Sequence, residues 1–336
     1  MSAATPMIDA LLPDPRHPLS AQGAATAFAA ILDGHASDDA VAKFLVSLAE
    51  RGETSTEIAQ AARALRARQI SISAPRGAID VCGTGGDGHH TLNVSTAVSI
   101  IVAACGVPVA KHGNRAASSK AGAADTLEAL GLRLDRASEN AERSLADIGI
   151  AFLFAAHHHP SLARIAPLRR AIGRRTIFNL MGPLANPAGV TRQLIGIARP
   201  DFAPIYADAL AQLGCEAAIV VAGDEGLDEL SGAGPSGIVN VGAAALPLRV
   251  APEDAGLMRY PISALRGGDA AHNAAALRAL LQGEPGAYRE AVLLNAAAAL
   301  MVAGRSQSLR EGAEEAGEVL DNGLANTLLD CWIAYQ

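Results

Sequence analysis

The sequence predicts an α/β protein: a small helical N-terminal domain joined to a larger α/β domain with a mainly parallel central sheet. Three observations carry that expectation. Residues 21–69 place apolar side chains at helical spacing with no strand pattern between them. From Ala78 onward, apolar runs of four to seven residues alternate with amphipathic stretches, as in a parallel sheet covered on both faces. Beyond about residue 242 the spacing is again helical.

The expected elements follow in order. Helices are read at 21–33, 38–51 and 55–69, with Ser37 as cap of the second and Thr54 or Ser55 as cap of the third. Residues 73–77 (SAPRG) read as a linker. Strands follow at 78–82 (AIDVC), 107–110 (VPVA), 150–156 (IAFLFAA), 193–198 (QLIGIA) and 217–223 (AAIVVAG), with helices at 93–105, 119–131 and 201–213 between them. A helical stretch at 161–186, ending in the turn GPLANPAG, interrupts the alternation and is expected to fold back onto the N-terminal helices. The small domain would therefore be 1–74 completed by about 161–187, and the large one 75–160 with 188–336. Helices at 268–282, 285–304, 308–322 and 325–334 close the chain.

Composition narrows the function. Half of the 336 residues are hydrophobic but only 3% aromatic, so the core is one of Ala, Val, Leu and Ile. A net charge of -7 without a block of like charge argues against general nucleic-acid or membrane-surface binding. No apolar stretch reaches the length of a membrane span, and the first twenty residues lack the pattern of a signal peptide. With four widely spaced cysteines (Cys82, Cys105, Cys215, Cys331), this suits a cytoplasmic protein with reduced, mostly buried thiols.

Residues 83–88 (GTGGDG) form a glycine-rich turn after a strand and before a helix, where backbone amides and a helix N-terminus can meet a phosphate. Gly83, Gly85 and Gly88 satisfy GxGxxG, but the acidic residue that a dinucleotide site places about twenty positions on is missing: no Asp or Glu lies between Asp87 and Asp125. Asp87 inside a phosphate loop is explained by a bridging cation. A plain tight turn is the bland alternative. Thr91, Asn93, Ser95 and Thr96 then crowd the first turn of a helix, more polar groups than a cap needs.

A second loop, KHGNRAASSKAG (111–122), follows the next strand and carries no acid. It holds Lys111 and Lys120, two of only three lysines against 24 arginines, and a compact ammonium suits a phosphate. Across the carboxyl edge of a parallel sheet it would face the glycine loop. Chance placement and an exposed loop remain the plainer readings.

Taken in order, GTGGDG, NVST, KHGNRAASSKAG, RTIFNLMGPLANPAG and GLDELS resemble the anthranilate phosphoribosyltransferase family, over about residues 23–323. The resemblance implies a nucleoside-phosphorylase-like fold and, usually, a homodimer. It further implies transfer of phosphoribosyl from PRPP to the amine of anthranilate in tryptophan biosynthesis, with Mg²⁺ and release of pyrophosphate. By resemblance, Gly83, Gly86 and Asp87 contact PRPP, while Thr91, Asn93, Val94, Ser95 and Thr96 line its diphosphate. Lys111, His112, Gly113, Asn114, Arg115, Ala116, Ala117, Ser118 and Ser119 wrap its phosphates and ribose. Gly83, Asn114, His159, Arg169 and Gly182 are implied for anthranilate, and Ser95, Asp228 and Glu229 for the metal. Ala121 and Ala123 depart from the family, which often has Ser there.

Residue chemistry agrees in part. Arg169 lies in a basic helix whose exposed face is the simpler explanation, yet a guanidinium is the natural partner of a substrate carboxylate. Four acids in Asp224–Glu225 and Asp228–Glu229 repel unless solvated or neutralised by a hard cation. His157, His158 and His159 are adjacent and cannot all converge on one ion. No acid/base residue is assigned, because an aryl amine is already neutral at pH 7. A pyrimidine nucleoside phosphorylase of the same fold, a nucleic-acid-binding paralogue without activity and, last, a dehydrogenase are the competing readings.

Overall fold

The computed structural model describes residues 11–116 and 120–335. Ser20 starts the first helix, α1 (Ala21–Asp33), by accepting a hydrogen bond from the amide of Gly23 at 3.1 Å. Helix α2 (Asp38–Arg51) differs from expectation: Ser37 makes no side-chain cap bond, and Asp38 and Asp39 in the first turn complement the helix dipole instead. Thr54 caps α3 (Ser55–Arg66) in a reciprocal box with Glu57, a fully buried carboxylate that also pairs with Arg51.

Seven strands form one sheet: β1 (Ile79–Gly83), β2 (Val109–Gly113), β3 (Ile150–Phe154), β4 (Arg192–Gly196), β5 (Ala217–Gly223), β6 (Ser236–Gly242) and β7 (Arg249–Val250). Their order is β3-β2-β1-β4-β5-β6-β7, with β3 through β5 parallel and the last two antiparallel. The strand order reverses direction between β1 and β4, which makes the carboxyl ends of those two strands the place where such a sheet opens a ligand crevice.

Between strands run α4 (Val94–Ala104), α5 (Ala123–Ala129), α6 (Leu134–Glu139), α7 (Ala141–Asp147), α8 (Ala155–His158), α9 (Pro160–Ile172), α10 (Met181–Leu184) and α11 (Ala203–Gln212). The chain closes with α12 (Ala270–Leu281), α13 (Ala287–Ala303), α14 (Leu309–Asp321) and α15 (Leu324–Ala334). Strand side chains alternate between two cores. Val81, Phe152, Leu194 and Ile219 face α4 and the C-terminal helices, whereas Cys82, Ile195 and Val220 join an apolar cluster continuous with α11, α9 and α1–α3. The stretch after Pro160 thus does fold back onto the N-terminal helices.

Three local expectations change. Strands β6 and β7 lie outside the predicted set, because SGIVNVG is half-exposed and lacks the continuous apolar run of its buried neighbours. The short helices α6 and α7 are additions as well. Strand β2 ends at Gly113 rather than Ala110, so Lys111 and His112, expected in a loop, lie inside the sheet paired with Phe152 and Leu153. Pairing along β3 overrides their polarity. Among the described residues no helix is long and apolar enough to cross a membrane. Cys82 and Cys105 are buried, Cys215 is half-buried, Cys331 is exposed, and all four are free.

Candidate functional site

Three adjacent strands, β1, β2 and β4, all end in glycine, and Gly83 lies in register with Gly196. Over these ends lies a cleft of about 770 Å³. Its floor is the glycine loop, in which Gly85, Gly86 and Gly88 take φ of 68°, 80° and 79°, values that side-chain-bearing residues rarely adopt. Thr84 donates its amide to the carbonyl of Gly196 at 2.9 Å, tying the loop to β4.

The acidic turn after β5 arrives at the same place. The carboxylate of Asp228 accepts a hydrogen bond from the amide of Gly85 at 2.7 Å, and Glu229 accepts one from the amide of Ser95 at 3.2 Å. His89 bonds the carbonyl of Glu225 at 3.1 Å. Such proximity needs bare backbone beneath it: a β-carbon on Gly196 would overlap the Asp228 carbonyl, and one on Gly83 would stand 2.5 Å from its carboxylate. Behind the pair, buried Asn295 of α13 bonds both the amide and the carbonyl of Leu230, at 2.9 Å each.

Charge in this corner is unbalanced. Burial, then the nearby Glu229 and Asp87, push the Asp228 carboxyl well above its ordinary range. Burial raises Glu229 to about 7 against the pull of Lys111 and the Ser95 amide. Two hard oxygen acids held short of positive charge beside a serine hydroxyl suit a divalent cation of the magnesium type. Among the described residues no group of three or more His, Cys, Asp or Glu is placed to hold a metal. A cation here would take its remaining oxygens from another ligand.

The second loop lines the opposite wall. Lys111 is buried, donating to the Val81 carbonyl at 2.8 Å and the Ser95 hydroxyl at 3.3 Å; burial lowers its pKa, opposed by Asp80, Cys82 and Glu229. Asn114 is exposed at the rim. Arg115 also lines the cleft, but its guanidinium is taken by Asp125 and Glu128 and lies 5.5 Å over the Phe154 ring. Gly83, Gly86, Asp87, Thr91, Asn93, Val94, Ser95, Gly113 and Ala116 line the cleft too. Ala117, Ser118 and Ser119 lie outside the described residues.

Two candidates from the polar helix start turn inward. Thr96 is 1% exposed and away from the cleft. Asn93 spends its side-chain oxygen on the Thr126 hydroxyl (2.6 Å) and the Asn273 amide (2.9 Å), so it is chiefly a junction between helices.

On the far side, α9 brings Arg169 to the cleft. It is half-buried, burial lowers its pKa, and among the described residues no carboxylate pairs with it. Arg174 is paired with Glu50, and Arg175 donates to the carbonyls of Gly85 (2.8 Å) and Gly86. His159 and Gly182 stand one layer behind. His112 Nδ1 donates to the Gly182 carbonyl at 2.8 Å, and the His112 and His159 Nε2 atoms lie 3.2 Å apart. Burial depresses His112 to about 3 and His159 to about 4, so both rings are neutral at pH 7. His157 turns to Ser138 and His158 to the Ile70 carbonyl, so the three adjacent histidines point in three directions.

Residues with no expected role also shape the site: Gly196, Arg175, Asn295, Asp80 and Asn186. Arg175 and Asn186 fall inside RTIFNLMGPLANPAG, and Asn295 is a lone amide in the otherwise apolar AVLLNAAAALMVA.

The chain matches two family models, described as the glycosyl transferase family a/b domain over residues 76–326 and its helical bundle domain over residues 6–68. It is 68% identical over 325 residues to the anthranilate phosphoribosyltransferase of Novosphingobium aromaticivorans, covering 96% of this chain and 98% of that one. The Sphingopyxis alaskensis enzyme of the same name is 65% identical over the same shares. Among solved structures, anthranilate phosphoribosyltransferase from Thermus thermophilus superposes with a TM-score of 0.89 at 43% identity, over 95% of this chain and 96% of that one. The Saccharomyces cerevisiae enzyme in complex with PRPP and Mg gives 0.86 at 27% identity, over 94% and 93%.

Proposed function

The chain belongs to the anthranilate phosphoribosyltransferases of the glycosyl transferase family, and from that premise we propose how its cleft works. The enzyme transfers the 5-phosphoribosyl group of PRPP to the amine of anthranilate, giving N-(5-phosphoribosyl)anthranilate and pyrophosphate in tryptophan biosynthesis. Membership sets aside the phosphorylase, nucleic-acid and dehydrogenase readings.

PRPP lies over the glycine loop, its diphosphate against residues 86–88, beyond the Thr84 and Gly85 amides already bonded to Gly196 and Asp228, and near the start of α4, with Lys111 beneath. Asp228 and Glu229, with Ser95, would hold Mg²⁺, which when bound would supply positive charge to the departing diphosphate. The observation that carries this reading is the Asp228–Gly85 hydrogen bond, which brings the acid pair and the amide loop to one point.

Breaking the ribose C1–O bond builds positive charge on the sugar and negative charge on pyrophosphate. Fixed amides aimed at the leaving oxygens favour that distribution without reorganising. Arg169, with no carboxylate partner among the described residues, receives the anthranilate carboxylate, and Asn114 at the rim steers the amine toward C1. The amine attacks as the neutral base it already is and loses its proton to solvent afterward. His112 and His159, neutral and bonded to each other, form the uncharged wall behind the aromatic ring. Residues 1–74 with about 161–187 act as the unit that closes on the α/β domain and excludes water. A homodimer in the cytoplasm, without nucleic-acid or membrane partners, completes the proposal.

The test is loss of anthranilate fluorescence on adding PRPP and Mg²⁺. Turnover abolished by a chelator and restored by excess Mg²⁺ supports the reading. No loss of fluorescence with all components present contradicts it.

A further inference from the structure

Asp80 sits in the middle of β1 with no exposed surface, and it does not line the cleft. A buried carboxylate is costly unless its oxygens are bonded. One oxygen accepts the His112 amide at 3.2 Å and the other the Asn186 side-chain amide at 2.8 Å. Asn186, itself 2% exposed, gives its side-chain nitrogen also to the Ala110 carbonyl at 2.8 Å, and its oxygen accepts the Ala188 amide at 2.9 Å. Its side chain therefore pins the turn at residues 182–189 to both β1 and β2.

These bonds close a ring. From the same turn, the Gly182 carbonyl accepts His112 Nδ1–H, and His112 returns through its own amide to Asp80. With Nδ1 donating, the neutral His112 ring keeps a lone pair on Nε2, which lies 3.2 Å from Nε2 of His159. The orientation of the ring at the cleft edge is thus set from two ends, by the turn and by the strand. A well-packed apolar pair would hold two strands and a turn together about as well. What it lacks is direction, which the amide–carboxylate pair supplies.

We propose that Asn186, bonded to Asp80, is a positioning residue for the acceptor side of the cleft, fixing His112 and the Gly182 turn against the ring of anthranilate. The inference rests on the substrate assignment above. Asn186 reaches neither the glycine loop nor the acid pair, so the donor side should be indifferent to Asn186→Ala; Asp80, whose charge acts on Lys111, is exchanged only together with Asn186, which keeps one carboxylate in the pair.

The test is steady-state kinetics of Asn186→Ala, Asn186→Asp, and Asn186→Asp combined with Asp80→Asn, with both substrates varied. Asn186→Ala is expected to raise the anthranilate KM about tenfold with the PRPP KM within about threefold, about the size of one of the three hydrogen bonds its side chain makes. Asn186→Asp sets two carboxylates together and should be worse, while the combined exchange restores one amide–carboxylate bond and recovers most of the loss. Rescue of KM for one substrate is a result that general loosening does not give. Equal rises in both KM values, a fall in kcat alone, or a combined variant no better than Asn186→Asp would overturn the proposal. Should Asn186→Ala not fold, Asn186→Ser, which keeps an acceptor for the Ala188 amide, is read in the same way. A wild-type protein that does not consume anthranilate would refute the substrate assignment instead, so the two failures are distinguishable.

Discussion

The carboxylate of Asp228 lies 2.7 Å from the amide of Gly85, although 143 residues separate them. Bare backbone at Gly83 and Gly196 makes the approach possible, and Asn295 holds the acidic turn in place from behind. The glycine loop and the acid pair thereby share one point of the sheet edge.

Gly196→Ala should be the most damaging small substitution in the site. Its methyl would overlap the Asp228 carbonyl, backbone that cannot step aside, so the acidic turn must move. A stability loss of about 3 kcal/mol or more is expected, in the range of severe overpacking. Gly85→Ala has open space around it and a φ of 68°, so it should cost about 1–2 kcal/mol, the left-handed penalty alone. Urea unfolding of the two variants ranks them.

Arg169→Ala should raise the anthranilate KM about ten- to a hundredfold, the worth of a charge-assisted hydrogen bond. The PRPP KM should stay within about threefold, since among the described residues no hydrogen bond joins Arg169 to the glycine loop or the acid pair. A change confined to the PRPP KM would reverse the assignment of the two subsites.

Acidification should unmask the buried histidines. His112 and His159 are held at about 3 and 4, below the ordinary value of 6.5, so the fold favours their neutral forms. Their contribution is complete above about pH 6.5 and is lost as pH falls through 4 and 3, because the unfolded chain takes up protons first. Asp80, Asp228 and Glu229, whose pKa values are raised, work in the opposite sense. The clean quantity is therefore a difference: between pH 6 and 4.5, His159→Gln should flatten the slope of stability by up to about 1.4 kcal/mol per pH unit. An unchanged slope would mean that His159 is already protonated in the fold.

Much of this is legible in the residues. Helices α1 and α2 and strand β5 coincide with their apolar periods, since burial on one face or both writes itself into spacing, whereas α3 ends at Arg66, three residues before the expected end. The glycine loop is readable because its glycines have no side chain to explain them. Lys111 and His112 read as loop residues because their side-chain polarity is satisfied by partners far along the chain, the Val81 and Gly182 carbonyls. Arg115 looks free for the same reason, its acids standing ten and thirteen residues away. Gly196 gives no signal: a glycine closing an apolar strand says nothing until the acidic turn is seen lying on it.

The joint grip of amide loop and acid pair on one donor is tested most directly by calorimetric titration of PRPP with and without Mg²⁺. Wild type is compared with Asp228→Asn combined with Glu229→Gln. In wild type Mg²⁺ should tighten PRPP binding at least about tenfold, or about 1.4 kcal/mol. The double variant should keep its fold and lose that enhancement together with most turnover. An undiminished Mg²⁺ effect in the double variant would contradict the shared site.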